Sequence, residues 1–131
     1  RKVPPTNGPS NDAGSIIGIV GTDAPLLPHQ CNRLAQRAGL GVARMGGLGE
    51  NSSGDLFFAF SSGNRVLGTT DATLNVSMLP NERIDPLFEA VVDATEEAIL
   101  NALLAAETMT GRAGHTAYAL EPEILLEALA V

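Results

Sequence analysis

The chain has 131 residues, 44% of them hydrophobic and 18% charged, which is enough apolar surface for a core and too much for disorder along most of its length. A formal charge of −7 argues against general binding to a nucleic-acid backbone, and scattered glycines without a Gly-x-y period exclude collagen. The lone cysteine, Cys31, excludes an internal disulfide framework, and no apolar run reaches the roughly 18 residues that a membrane span needs.

The opening stretch RKVPPTNGPSNDAG, residues 1–14, is rich in Pro, Gly and small polar residues and reads as a linker or tail. It holds neither an initiator Met nor an apolar segment like a signal peptide, so the chain reads as a fragment or a processed subunit. Bacterial cytoplasm and periplasm are both open to it. Its charges, Arg1, Lys2 and Asp12, are net positive, so the acidity belongs to the part after residue 14.

From Ser15 the character changes. SIIGIVGT, residues 15–22, is short, apolar and β-branched, which predicts a strand buried on both faces. Gly18 and Gly21 leave room in it for another element to approach closely. A Pro-bearing loop leads to a predicted helix over 29–45. There Leu34, Ala35, Ala38 and Val42 fall on compatible faces, Arg33, Arg37 and Arg44 are available to solvent, and Gly39 and Gly41 weaken the middle. MGGLGENSSG, residues 45–54, reads as a loop, and DLFFAFS, residues 55–61, as a second apolar strand.

Residues 62–84 lack periodicity and read as a long connection. Asp85-Pro86 supplies an N-cap and a first-turn proline for a helix over 85–108, with Phe88, Val91, Val92, Thr95, Ile99, Ala102 and Leu103 as its apolar stripe. Gly111 to Gly114 reads as a turn, His115 to Leu120 as a strand, and Pro122 to Leu129 as a short helix. Strands this apolar need layers on both faces, so the fold class is layered α/β. Three strands make a thin sheet, and more are expected from another chain or another part of this one.

The pair Gly14-Ser15 stands at the mouth of the first strand. Were that peptide bond cut, Ser15 would hold a hydroxyl and a free α-amine together. Such an amine has a pKa of about 7.7–8.0 and can take the hydroxyl proton, so nucleophile and general base would share one residue. Gly14 would ease the cut by tolerating strained backbone. A Gly-Ser pair before a strand is usually just a loop end, and residue chemistry makes the cut possible without selecting it.

Other constellations are thin. His29, Cys31 and His115 are possible metal ligands, but zinc needs three or four at recognisable spacing, and His29 also suits a helix start and Cys31 a packed core. A Ser53, His115 and Asp55 triad can be drawn, but it is one choice among many serines. MGGLGENSSG fits neither phosphate-loop nor dinucleotide patterns. Phe57, Phe58 and Phe60 read as core, and the acidic side of helix 85–108 as a solvated face.

Three strings carry a resemblance. GSIIGIVGTDAPLLPHQCNRLAQRAGLGVAR (14–44), SGDLFFAFSSGN (53–64) and DPLFEAVVDATEEAILNALLAAETMTGRAGHTAYAL (85–120) together resemble the small subunit of the L-aminopeptidase/D-esterase family, which includes the β-peptidyl aminopeptidases. The resemblance implies a precursor that cuts itself before a Ser or Thr, which becomes the nucleophile. It implies an αββα sandwich whose missing layers come from an N-terminal large subunit, and a homo-oligomer. It also implies hydrolysis of short peptides, amides or esters from a free amino end, with no metal or organic cofactor.

By motif, Ser15 becomes the nucleophile, Gly14–Ser15 the self-cleavage site, and residues 1–14 the tail of the large subunit, with 15–131 the small-subunit region. Ser53 is expected to hydrogen-bond the Ser15 amine or hydroxyl, and Asp55 to orient that network. Some members carry Glu where Asp55 stands, which leaves its contact open by about one methylene. The oxyanion donors and the acid that reads the substrate's ammonium belong to the large subunit. Two rivals stand beside this reading: an acyl transferase like ornithine acetyltransferase, against which Ser15 and TDAPLLPHQ count, and a non-catalytic fragment or interaction subunit.

Overall fold

The computed structural model describes residues 14–65 and 73–129. They fall into two compact units, with the division inside the longest helix, after Glu96. The first unit opens with β1 (Ile17–Thr22), α1 (Pro28–Arg44) and β2 (Leu56–Ser61). β1 and β2 pair in parallel, from Ile17 opposite Leu56 to Thr22 opposite Ser61, so the three elements form a β-α-β unit.

Alternation along the two strands decides what packs where. Val20, Phe57 and Ala59 turn toward α1 and join a core of Leu26, Cys31, Leu34, Ala35, Ala38, Ile84 and Val91. The other face carries Ile17, Ile19, Leu56, Phe58 and Phe60, each between 49% and 72% exposed. Burial on both faces was the expectation for these strands, and among the described residues one face is covered. Phe58 and Phe60, expected in the core, stack with each other on the open face at 6.5 Å between ring centres. The two strand glycines receive neighbouring rings. A Cβ at Gly18 would meet Phe57 at 2.7 Å, and one at Gly21 would meet Phe60 at 2.9 Å.

α1 runs unbroken through Gly39 and Gly41. Packing overrides propensity here, because a Cβ on Gly41 would stand 2.6 Å from Thr95 Cβ and 2.8 Å from the Val92 carbonyl oxygen. The glycine is what lets the two helices approach. Arg33 and Arg37, expected in solvent, lie over the Phe88 ring at 5.0 and 3.9 Å from its centre. Arg44 does face solvent, where it pairs with Asp93 at 2.7 Å and Glu96 at 3.4 Å.

The first turn of α1 is tied down by Gln30, which is fully buried. Its amide donates to the Leu79 carbonyl (2.8 Å) and to Asn81 Oδ1 (3.0 Å), and its Oε1 accepts from the Leu27 amide (3.1 Å). Of the long connection over 62–84, residues 66–72 lie outside the described part. Its base is closed by Asn64 and Ser77, which exchange two hydrogen bonds of 2.8 Å.

α2 spans Asp85–Ala105. A 3-10 turn (Asn81–Arg83) leads into it, and the Ile84 carbonyl accepts from the Leu87 and Phe88 amides. Ile84 therefore stands at the entrance, where Asp85 was expected, and Asp85 sits in the first turn at the positive end of the helix dipole. Val91 and Val92 are buried as the stripe requires, whereas Ala102 and Leu103 are exposed.

In the second unit β3 (Met109–Thr110) and β4 (Thr116–Ala117) form a two-rung antiparallel hairpin. This is shorter than the strand expected over 115–120, and its partner was not expected. The turn between them holds Ala113 at φ 60° and Gly114 at φ 77°. α3 covers Pro122–Leu129. No helix of the described residues is long and apolar enough to cross a membrane.

Candidate active site

The parallel ladder creates the site. Opposing residues of β1 and β2 differ by 39 in number, so the residues just before each strand also meet. The Leu56 amide donates to the Ile16 carbonyl at 3.0 Å and carries the pairing one step beyond the strands. From there, side chains take over from backbone.

The Ile16 amide donates to Asp55 Oδ1 at 2.9 Å. One residue further out, the Gly54 amide donates to Ser15 Oγ, also at 2.9 Å. The Ser53 hydroxyl donates to the same Asp55 oxygen at 2.5 Å, while its own backbone amide closes a turn onto the Glu50 carbonyl at 2.8 Å. Ser15, Ser53 and Asp55 are thus brought together at the mouth of the strand pair, with Gly14 exposed beside Ser15. The contact expected between Ser53 and Ser15 takes another form: Ser53 gives its proton to Asp55, and Ser15 receives one from Gly54.

The electrostatics follow from these donors. The Ser53 hydroxyl first, and the Ile16 amide second, hold the Asp55 carboxyl below its usual range. An ionised carboxylate only accepts, so Asp55 fixes the Ser53 proton on its own side and leaves the Ser53 lone pairs for another donor. Ser15 accepts through Oγ and donates to no described group, so its proton is available to a base. With the Gly14–Ser15 peptide bond intact, the Ser15 nitrogen is an amide and cannot be that base.

The other sequence candidates lie apart from this cluster. His29 is exposed in the first turn of α1, and His115 is exposed beside the hairpin turn of the second unit. Cys31 is in the core, where burial pushes its thiol pKa up. Among the described residues no group of three or more His, Cys, Asp or Glu is placed to hold a metal ion. Two groups escaped the reading of the sequence, the backbone amides of Ile16 and Gly54. Their signal is the strand register, since 16 faces 55 and 15 faces 54 once 17 is set opposite 56.

The chain has known relatives in sequence and in fold. The pattern of peptidase family S58 matches residues 2–117. Beta-peptidyl aminopeptidase BapA of Sphingosinicella microcystinivorans is 50% identical over 111 residues, covering 84% of this chain and 28% of that protein. The crystal structure of the PH0078 protein from Pyrococcus horikoshii OT3 matches with a TM-score of 0.83 at 49% identity, over 88% of this chain and 33% of that one. The L-aminopeptidase D-Ala-esterase/amidase of Ochrobactrum anthropi is described as a serine aminopeptidase with a variant of the Ntn hydrolase fold. It matches with a TM-score of 0.81 at 41% identity, over 94% of this chain and 35% of that one. The chain therefore spans about a third of the length of the proteins it matches.

Proposed function

Because the chain belongs to peptidase family S58, we propose that it is the nucleophile-bearing part of a self-processing serine aminopeptidase. Its substrates are short peptides, amides or esters with a free amino end. Residues 1–14 are the tail of the preceding large-subunit segment, and residues 15–131 are the small-subunit region that cleavage releases. The matched relatives act on β-peptidyl substrates in one case and on L-amino acid and D-alanyl esters or amides in another, by their names. This chain's own bonding supports acyl transfer to the hydroxyl of Ser15 once that residue is terminal.

Scission of Gly14–Ser15 turns the Ser15 amide into an α-amine. That amine takes the Oγ proton as Oγ bonds to the substrate carbonyl carbon, then delivers a proton to the leaving amine or alcohol. Water enters by the same route in reverse and releases the acid. Asp55, ionised and tied to Ile16, holds the backbone next to the nucleophile. It also favours the protonated amine that forms during turnover. Ser53, whose proton goes to Asp55, keeps its lone pairs to accept from that amine. No metal or organic cofactor has a part in these steps.

The open apolar face of β1 and β2 is the surface on which the large-subunit segment packs to complete an αββα sandwich. That segment brings the oxyanion donors, each worth on the order of 10²–10³ in rate, and the acid for the substrate ammonium. The assembled protein is a homo-oligomer.

The observation that carries the reading is the meeting of Ser15, Gly54, Ser53 and Asp55 at the mouth of one strand pair. The test is the intact mass of the purified full-length protein together with turnover of an aminoacyl p-nitroanilide. A mass showing scission before Ser15, and activity lost in Ser15→Ala, are expected. Full activity in Ser15→Ala, or an unbroken Gly14–Ser15 bond in active protein, removes the mechanism. A transferase reading predicts acyl transfer to an amine acceptor at the expense of hydrolysis, and the same assay separates it.

A further inference from the structure

We propose that the Gly54 backbone amide is a catalytic donor to the nucleophile, holding Ser15 Oγ and stabilising the negative charge that gathers there when the oxygen attacks and when it leaves. The inference rests on the reading of Ser15 as nucleophile and adds a group that no side-chain motif reveals. The Gly54 N–H stands 2.9 Å from Oγ and makes the one hydrogen bond of that hydroxyl among the described residues. It is fixed on both sides. Asp55 accepts from Ile16 at 2.9 Å, and Leu56 donates to Ile16 at 3.0 Å, so the segment 54–56 is laced to 15–16.

Charge on Oγ changes through the cycle. In acylation the Oγ–carbon bond forms, the Oγ proton passes to the Ser15 α-amine, and the leaving group departs with a proton from that amine. In deacylation a water oxygen bonds to the same carbon, its proton passes to the amine, the carbon–Oγ bond breaks, and Oγ recovers a proton. The oxygen is partly negative in both transition states and a weak acceptor as the ester oxygen between them. A donor fixed at hydrogen-bond distance therefore binds both transition states more strongly than the neutral hydroxyl before acylation or the ester oxygen before deacylation, which is the condition for raising kcat. Glycine is not demanded by the backbone, since Gly54 lies outside the left-handed region.

The test is an amide-to-ester exchange at Gly54 in the full-length protein, with glycolate in place of glycine, which puts an ester oxygen where the N–H donor stood and keeps the chain's shape. Turnover of an aminoacyl p-nitroanilide should fall about tenfold or more in kcat with KM changed by less than about twofold. Labelling of Ser15 by a sulfonyl fluoride should slow in parallel. A second measurement needs no change at Gly54: its amide hydrogen should exchange faster in Ser15→Ala than in the parent. An unchanged kcat in a folded ester variant, or equal exchange in Ser15→Ala, overturns the proposal. If the fluoride labels the parent protein at a residue other than Ser15, the reading of the nucleophile itself fails, which is a separate result.

Discussion

Replacing Gly41 by alanine tests how α1 is held against the first half of α2, and so how the helix behind the β1–β2 pair is seated. The added Cβ would meet Thr95 Cβ at 2.6 Å, the Val92 carbonyl oxygen at 2.8 Å and Thr95 Cγ2 at 2.9 Å. Two of these atoms, a Cβ and a backbone oxygen, cannot rotate out of the way, so the helices must part. Overpacking of this kind costs about 1–3 kcal/mol, and the better helix propensity of alanine returns about 0.8–1.0 kcal/mol. With rigid neighbours the upper half of the cost applies, and a net loss of about 1–2 kcal/mol is expected. Gly39, in the same helix, is the control. Its Cβ would stand 3.5 Å from Phe57 Cε2, an ordinary contact, so Gly39→Ala should gain about 0.5–1 kcal/mol. Urea unfolding of the two variants and the parent, with unchanged slopes, reads both shifts as midpoints. Midpoints that move in the same direction, or a stabilised Gly41→Ala, would refute the packing argument.

Asp55 should titrate below the usual carboxylate range by ¹³C NMR, and Ser53→Ala should raise it, because the Ser53 hydroxyl is the larger of its two donors. A depressed folded-state pKa gives stability that is complete above the unfolded value and is lost as pH falls through the folded one. The parent should therefore lose its margin over Asp55→Asn in that acid window, and an unchanged margin would remove the carboxylate from the fold's support. Cys31 should resist a disulfide reagent in the native protein and react fully in denaturant, since its thiol is buried. Fast native labelling would contradict its place in the core. Gln30→Leu should cost about 1–3 kcal/mol in urea unfolding, because it strands the Leu79 carbonyl and the Leu27 amide. A variant as stable as the parent would show that these groups find other partners.

Where sequence and structure agree, the deciding signal is local. A β-branched run marks β1, a Phe-rich apolar run marks β2, and the apolar residues of α1 and the start of α2 recur at helical spacing. The α/β class follows from those elements alone. Where they part, the deciding interaction is between distant residues. No window around Gly41 reveals that α2 passes so close, and so the weakness assigned to α1 came from propensity alone. Arg33 and Arg37 look like solvent residues until Phe88, some fifty positions on, is known to lie beneath them. The open face of β1 and β2 has the same origin, because a strand's own residues say that it wants cover and not where the cover comes from.

The candidate site depends on one such long-range quantity, the strand register. Ser15 and the run Ser53-Gly54-Asp55 are visible as residues, but their meaning rests on Ile17 standing opposite Leu56. A slip of one residue would turn Phe57 and Ala59 out of the core and the exposed Phe58 and Phe60 into it. It would also move the Gly54 amide off Ser15 Oγ and the Asp55 carboxylate off the Ile16 amide. The packing of small Ala59 and flat Phe57 against Leu34 and Ala38 on one side of the sheet thus selects the register that assembles the polar cluster at its end. Core and chemistry are specified by the same alternation, which is why a substitution that disturbs the face toward α1 should reach Ser15 without touching it.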